Sequence, residues 1–173
     1  DVARSLLRAV REHRVSVQDR AISTTMSVGV ALYPEHGTTA GEILAGPGSS
    51  VSILVLDQNG LLRNGASPNL PADYLDAIDR LKPDPAVGTC AAAAATGSVV
   101  ITPNFQADDK WAELRHLPLA LGFVGAWSSP ILSPEGAVLG TFGTYFREKR
   151  QPSPDEVEGV RRLAEIASAV VSR

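Results

Sequence analysis

A chain of 173 residues, 44% of them apolar, can bury the core of one domain, or of one domain and a fragment, but has no room for a second full enzyme domain. Its 16 basic and 19 acidic side chains are intermixed and leave a net charge of −3, without the basic stripe that a phosphate backbone demands, so no nucleic-acid partner is expected. Cys90 is the only cysteine, which excludes an internal disulfide, and His13, His36 and His116 lie too far apart for ligand spacing, so neither a metal site nor a cofactor is expected.

No apolar run approaches the roughly 18 residues of a membrane span, so no membrane insertion is expected. The chain opens on "DVARSLLRAV", an amphipathic pattern rather than a basic segment followed by an apolar one, which predicts a cytoplasmic location. Val2, Leu6, Ala9, Val10 and His13 recur at helical spacing, opposite Arg4, Arg8 and Arg11. "VSV" and "AISTTMSVGVALY" read as strands, the second alternating through Ile22, Thr24, Met26, Val28 and Val30. Thr39 and Glu42 form a capping box, but the helix they start meets Gly46-Pro47-Gly48, which cannot continue it.

A different rhythm begins after that break. "SVSILVLD" and "LLRNGA" flank Asp57-Gln58-Asn59-Gly60, a strong hairpin signal that places two paired strands within residues 49 to 66. "PADYLDAIDRL" predicts a helix with Tyr74, Leu75, Ile78 and Leu81 on one face. Thr89 is placed to cap a short alanine-rich helix that Gly97 ends. "SVVIT" reads as a strand, "PNFQADDKWAELRHLPLALG" as loop and helix, and "GAWSSPIL" with "AVLGTFGTYF" as a second hairpin around Ser133-Pro134-Glu135-Gly136. Ser153, Pro154 and Glu156 then announce a long final helix, whose Val160, Leu163, Ala167 and Val170 form a narrow seam. That seam can pack on the sheet or pair with a second copy, and a homodimer through this helix is expected.

The segments "LLRNGASPNLPADYLDAIDRL", "VGTCAAAAATGSVVITPNF", "DDKWAELRHLPLALGFVGAWSSPILSPEGAVLGTF" and "REKRQPSPDEVEGVRRLAEIASAVV" resemble, in order, those of a GAF domain, the small-molecule sensor module of bacterial signalling proteins. The resemblance covers residues 49 to 173. It implies a mixed α/β (α+β) fold: an antiparallel sheet of about six strands, helices on one face, and a ligand pocket under loops on the other. Residues 1 to 45, with "VARSLLRAVREH" and "ISTTMSVGVALYPEHGTTAGEIL", resemble the C-terminal end of a GGDEF domain, the diguanylate cyclase module, and residues 46 to 48 form the junction. The metal-binding aspartate, the "GG(D/E)EF" hairpin and the "R-x-x-D" feedback site of that family have no counterpart in the sequence, so phosphoryl transfer has nothing to offset its charge. The expected function is a non-catalytic sensor or dimerisation module of cyclic-dinucleotide signalling. Two alternatives stand beside it: a fragment of a diguanylate cyclase whose catalytic half is missing, and a purely structural dimerisation domain.

By the same resemblance the ligand-binding candidates are Cys90, Asn104, Phe105, Trp111, Phe123, Trp127 and Phe142, facing an unknown small molecule. Aromatic walls with few polar groups suit a planar or apolar ligand, and Trp127 and Phe105 rank first because they lie near segment ends. Alternation sends Phe142 and Tyr145 to opposite faces, so only one of them can line a pocket. Cys90 lacks a second thiol, and the run Ala91 to Ala95 stands where the family pattern carries a hydroxyl and a ring. Asn104, Asp108 and Asp109 are candidate polar contacts, although an Asp-Asp pair on a loop is more often a solvated turn or helix cap, and His116 reads as a surface or structural residue. Ser128 and Ser129 have no identifiable base, so no catalytic residue is expected.

Overall fold

In the computed structural model the described residues are 14–17, 20–23 and 49–171. The amphipathic helix at the start, the "AISTTMSVGVALY" strand beyond Ser23 and the Thr39–Glu42 capping box lie outside them. The chain divides into two compact units, residues 1–36 and 37–173. In the first, β1 (Arg14–Val17) pairs antiparallel with β2 (Arg20–Ser23), with Val15 opposite Ile22.

The second unit is built on five antiparallel strands: β3 (Ser50–Leu56), β4 (Leu62–Ala66), β5 (Val100–Thr102), β6 (Gly125–Leu132) and β7 (Val138–Phe146). Their order across the sheet is β4-β3-β7-β6-β5, all neighbours antiparallel. Both predicted hairpins form. The first closes where Gly60 N donates to Asp57 O at 2.9 Å and the Asp57 carboxylate accepts from the amides of Asn59 and Leu61. The second closes where the Ser133 hydroxyl accepts from the amides of Glu135 and Ala137. Among the described residues the sheet has five strands, and beyond β5 the chain passes Pro103 into 3₁₀ turns at Phe105–Ala107 and Asp109–Trp111.

Strand alternation divides the sheet into two apolar faces. Leu54, Ala126 and Tyr145 point to one, where they join a core with Leu62, Tyr74, Ile78, Phe105, Trp111 and Phe123. Val51, Trp127, Phe142 and Phe146 point to the other and pack with Val160. Helix α1 (Ala72–Ile78), α2 (Thr89–Thr96) and the short α3 (His116–Ala120) precede α4 (Pro154–Val171), the longest helix. Helices therefore lie on both faces. The alanine-rich α2 and Tyr74 of α1 belong to the Tyr145 face, whereas α4 covers the Trp127 face.

Along α4, Val160, Ala164 and Ser168 are buried at four-residue spacing, while Leu163 is half-buried against the same cluster. The predicted capping box forms: Ser153 N donates to Glu156 Oε2 at 2.7 Å, and Glu156 N to Ser153 Oγ at 3.2 Å. Arg150 holds the same carboxylate through two bonds of 2.8 Å and stacks its guanidinium 5.0 Å from the Phe146 ring centre. One carboxylate thus starts the helix and ties it to the sheet.

The Arg150 guanidinium, outweighing partial burial, holds the Glu156 carboxyl below its ordinary value of 4.5. A depressed carboxylate stabilises the fold above its unfolded value and loses that contribution as pH falls through the folded one. Substituting Glu156→Gln is expected to cost about 1 kcal/mol at neutral pH. The gap between wild-type and variant melting temperatures should narrow as a calorimetric series descends from pH 7 to below 4.5.

Candidate functional site

The candidate site grows from one row of the sheet. Ser52, Gly143 and Ser128 lie side by side on β3, β7 and β6, all toward the Tyr145 face. Gly143 brings no side chain to this row, and α2 settles over the gap. A Cβ at Gly143 would stand 2.8 Å from Ser52 Oγ and 3.0 Å from Cys90 Sγ. Ala91, Ala92, Ala93 and Ala94 are all buried, so the small side chains of α2 let its backbone approach the strands closely.

A short polar chain ties the start of α2 to that row. Ser128 Oγ donates to Thr89 Oγ1 at 2.9 Å and lies 3.1 Å from Cys90 Sγ. With the Ser128 proton given to Thr89, the Cys90 S–H is the group left to donate to Ser128. Thr89 is not the cap that its position suggests. Gly88 occupies the N-cap without a side-chain bond, at φ 52°, and Thr89 is the first helical residue. Glycine suits Gly88 because the left-handed backbone strains other residues, and because the Trp111 ring lies 3.6 Å from where a Cβ would stand.

Under α2, a partly open cavity of about 20 Å³ is lined by Leu54, Ile78, Leu81, Val87, Leu114 and the side chains of Tyr74, Thr89, Cys90, Trp111 and Tyr145. That volume holds about one water molecule. Two of the lining side chains carry buried polar atoms without a hydrogen-bond partner, Tyr74 Oη and Trp111 Nε1. The Tyr74 and Tyr145 rings meet edge to face at 5.9 Å between centres. Their hydroxyls influence one another but reach no bond of good geometry from Tyr74, and burial pushes both phenols well above their ordinary value of 10.0.

The seven sequence candidates part company in three dimensions. Cys90 and Trp111 line the cavity together. Phe105 and Phe123 belong to the same core without lining it: Phe105 leans on Trp111 at 4.3 Å between ring centres, and Phe123 on Tyr145 at 5.5 Å. Asn104 is a cap, its side chain accepting from Gln106 N at 3.2 Å. Trp127 and Phe142 lie on the opposite face beneath α4, because Ala126 and Ser128 on either side of Trp127 point toward the cavity face. Position near a segment end did not override this alternation. The structure adds Tyr74 and Tyr145. For Tyr145 the alternation against Phe142 was the available signal, whereas for Tyr74 the helical face alone did not say what it would meet.

The loop beyond β5 is held by Asp108. Burial acts to raise its pKa, but hydrogen bonds from Lys110 and from Thr102 Oγ1, the latter at 2.6 Å, prevail and hold it below 3.8. Its side chain also caps the second 3₁₀ turn through Lys110 N. Asp109 lies in that turn, and His116 is exposed at the start of α3. Among the described residues no group of three or more His, Cys, Asp and Glu side chains is placed to hold a metal ion. No described helix is long and apolar enough to cross a membrane.

This sheet, with an alanine-rich helix on one face and a long helix on the other, defines a class, and the sequence comparison names it. The chain belongs to the GAF domain family, whose model matches residues 15–172. A curated relative, the methyl sulfide methyltransferase-associated sensor of Methanosarcina acetivorans, is 35% identical over 126 residues, which are 72% of this chain and 13% of that protein. The chain therefore spans only a small part of the relative's length. Among solved structures, a domain from Sinorhizobium meliloti 1021, of a protein described as a two-component sensor histidine kinase, superposes with a TM-score of 0.62 at 21% identity, covering 78% of this chain and 84% of that one. The type II free methionine-R-sulfoxide reductase of Thermoplasma acidophilum gives 0.57 at 17%, covering 70% and 77%. The GAF domain of a Coxiella burnetii phosphoenolpyruvate-protein phosphotransferase gives 0.57 at 17%, covering 72% and 70%. At these identities the likeness is one of fold.

Replacing Gly143 by Ala should drive Cys90 and Ser52 apart and lift α2 from the sheet. A loss of about 1–3 kcal/mol in a urea titration is expected, the range for overpacking a close-packed core. Unchanged stability would mean that this contact has slack the distances do not suggest.

Proposed function

We propose that this GAF domain is a sensor module that responds to a small molecule and has no catalytic step of its own. The observation that carries the reading is the cavity between α2 and the sheet, where Tyr74 and Trp111 keep two buried polar atoms unpaired. Buried polar groups are ordinarily partnered; Ser52 Oγ, Trp127 Nε1, Thr141 Oγ1 and Thr144 Oγ1 also lack a partner, but among these atoms those of Tyr74 and Trp111 belong to side chains that share a cavity. Cys90, Thr89 and Ser128 satisfy each other, and no described bond links them to a base, so the site is built for holding rather than for nucleophilic attack. The Methanosarcina relative is named a sensor, in agreement with this reading.

A finer setting follows from the sequence. Residues 1 to 45 resemble a cyclase tail, which supports a place in cyclic-dinucleotide signalling in the cytoplasm, with residues 46 to 48 as the junction and 49 to 173 as the sensor domain. The family match takes in residues 15 to 45 as well, so this boundary rests on the resemblance alone. Partners would be a small ligand and a second copy of the chain, paired through α4.

Thermal denaturation in the presence of a metabolite panel tests the sensor reading. A compound at about a hundred times its Kd should raise Tm by roughly 5–10 °C. The reading fails when no compound in a broad panel moves Tm.

A second reading, in which the domain only pairs subunits, is favoured by the small size of the cavity. It turns on α4, where Ile166 is 60% exposed, one turn beyond the half-buried Leu163. Ile166→Glu disturbs no buried contact within one subunit, so it should halve the mass measured by light scattering and lower Tm only by the stabilisation that pairing itself supplied. A mass unaffected by the substitution removes α4 as the dimer contact.

A further inference from the structure

The lining of the cavity restricts what can bind. None of its side chains carries a formal charge, so neither an anion nor a cation would find a counter-ion there. The exposures of Tyr74 and Trp111 are 3% and 4%, so their unpaired Oη and Nε1 cannot be satisfied by bulk water. An indole nitrogen can only donate, and a tyrosine hydroxyl can donate as well, so both are served by an occupant that presents an acceptor. Leu54, Ile78, Leu81 and Val87 complete an apolar wall around that acceptor.

The cavity also has a neighbour. Leu81, Val87 and Leu114 line it on the inside and also line a cleft of about 390 Å³ whose other walls are Ala86 and Ala112 with the charged Asp109, Lys110 and Glu113 at its rim. Leu81 is pinned to β4 by Leu62 N donating to Leu81 O at 2.9 Å, and Gly88 is pinned by its amide to Lys110 O at 2.8 Å. Val87 stands between these anchors outside any helix or strand, on a turn organised by Asp84: Val87 N donates to Asp84 O at 3.2 Å, Ala86 N to Asp84 Oδ1 at 2.8 Å, and Asp84 N to Ala91 O of α2 at 3.2 Å.

We propose that cavity and cleft are the inner and outer parts of one site for an uncharged ligand bearing a carbonyl-type acceptor, with Val87 as the movable wall. This rests on the sensor reading above. The acceptor takes hydrogen bonds from Tyr74 Oη and Trp111 Nε1, and the apolar body extends past Val87 into the cleft. Nucleotides and other multiply charged metabolites are excluded from the inner part by desolvation without a counter-charge.

The chain has 2 tryptophans, and Trp127 lies on the other face of the sheet, so ¹⁵N-indole NMR supplies a probe and an internal control. In a titration of the full chain with cyclohexanone, the Trp111 indole resonance should move downfield and saturate while that of Trp127 stays in place. Methylcyclohexane, which has no acceptor, and acetate, which is charged, should produce no saturating shift. Tyr74→Phe should weaken the half-saturating concentration about fivefold, the effect of one neutral hydrogen bond. Val87→Ala should tighten it at least about threefold by thinning the partition. The proposal is overturned if cyclohexanone leaves the Trp111 resonance unmoved in both wild type and the Val87→Ala chain, if both indoles move alike, or if acetate saturates the same resonance. Should a charged metabolite stabilise the protein in the thermal panel while cyclohexanone fails here, this ligand class falls and the sensor reading stands; when neither has an effect, both fall.

Discussion

The close approach of α2 to the sheet at Gly143 is the contact from which the arrangement of the site follows. A helix of alanines carries little apolar surface per residue, so it contributes to the core only by coming nearer to the strands than larger side chains would permit. Gly143 supplies the gap, and the row of Ser52 and Ser128 on either side supplies polar groups beneath the helix start. Cys90 and Thr89 then take their positions from hydrogen bonds to Ser128 rather than from a helix cap.

Once α2 is seated, the remaining elements of that face have little freedom. Gly88 must take a left-handed backbone to bring the chain into α2, and the Trp111 ring covers it. Phe105 supports Trp111, while Asp108 holds the intervening loop to β5 through Thr102. Tyr74 and Tyr145 close the far side. The small cavity is what remains where bulky rings meet a row of small residues, and its polarity comes from ring substituents that found no partner. Its water-sized volume is therefore compatible with a larger binding space only if the Leu81–Val87 segment yields.

The opposite face shows a different use of the same sheet. There Trp127, Phe142 and Phe146 present broad apolar surface, and α4 covers it with residues four apart. The tie at Arg150 and Glu156 joins the helix start to the Phe146 ring, so displacement of α4 would disturb both a capping box and a cation–π contact. Because β7 contributes Tyr145 to one face and Phe146 to the other, the cavity and α4 are separated by a single strand.

The sequence by itself determined those features whose causes are local. Asp57 to Gly60 and Ser133 to Gly136 carry their own turn chemistry, and Ser153 with Glu156 carries its own cap, so both hairpins and α4 were legible from neighbouring residues. Alternation also sets Tyr145 against Phe142 and Trp127 against Ala126 and Ser128, which places Trp127 on the face away from the cavity. What only the tertiary structure decided are the meetings of residues far apart in the chain: Cys90 with Ser128, Tyr74 with Tyr145, and α2 with Gly143. Such meetings depend on which sheet face a helix lands on and how closely it can approach. That is set by the combined volumes of several strands, a property that no single window of sequence contains.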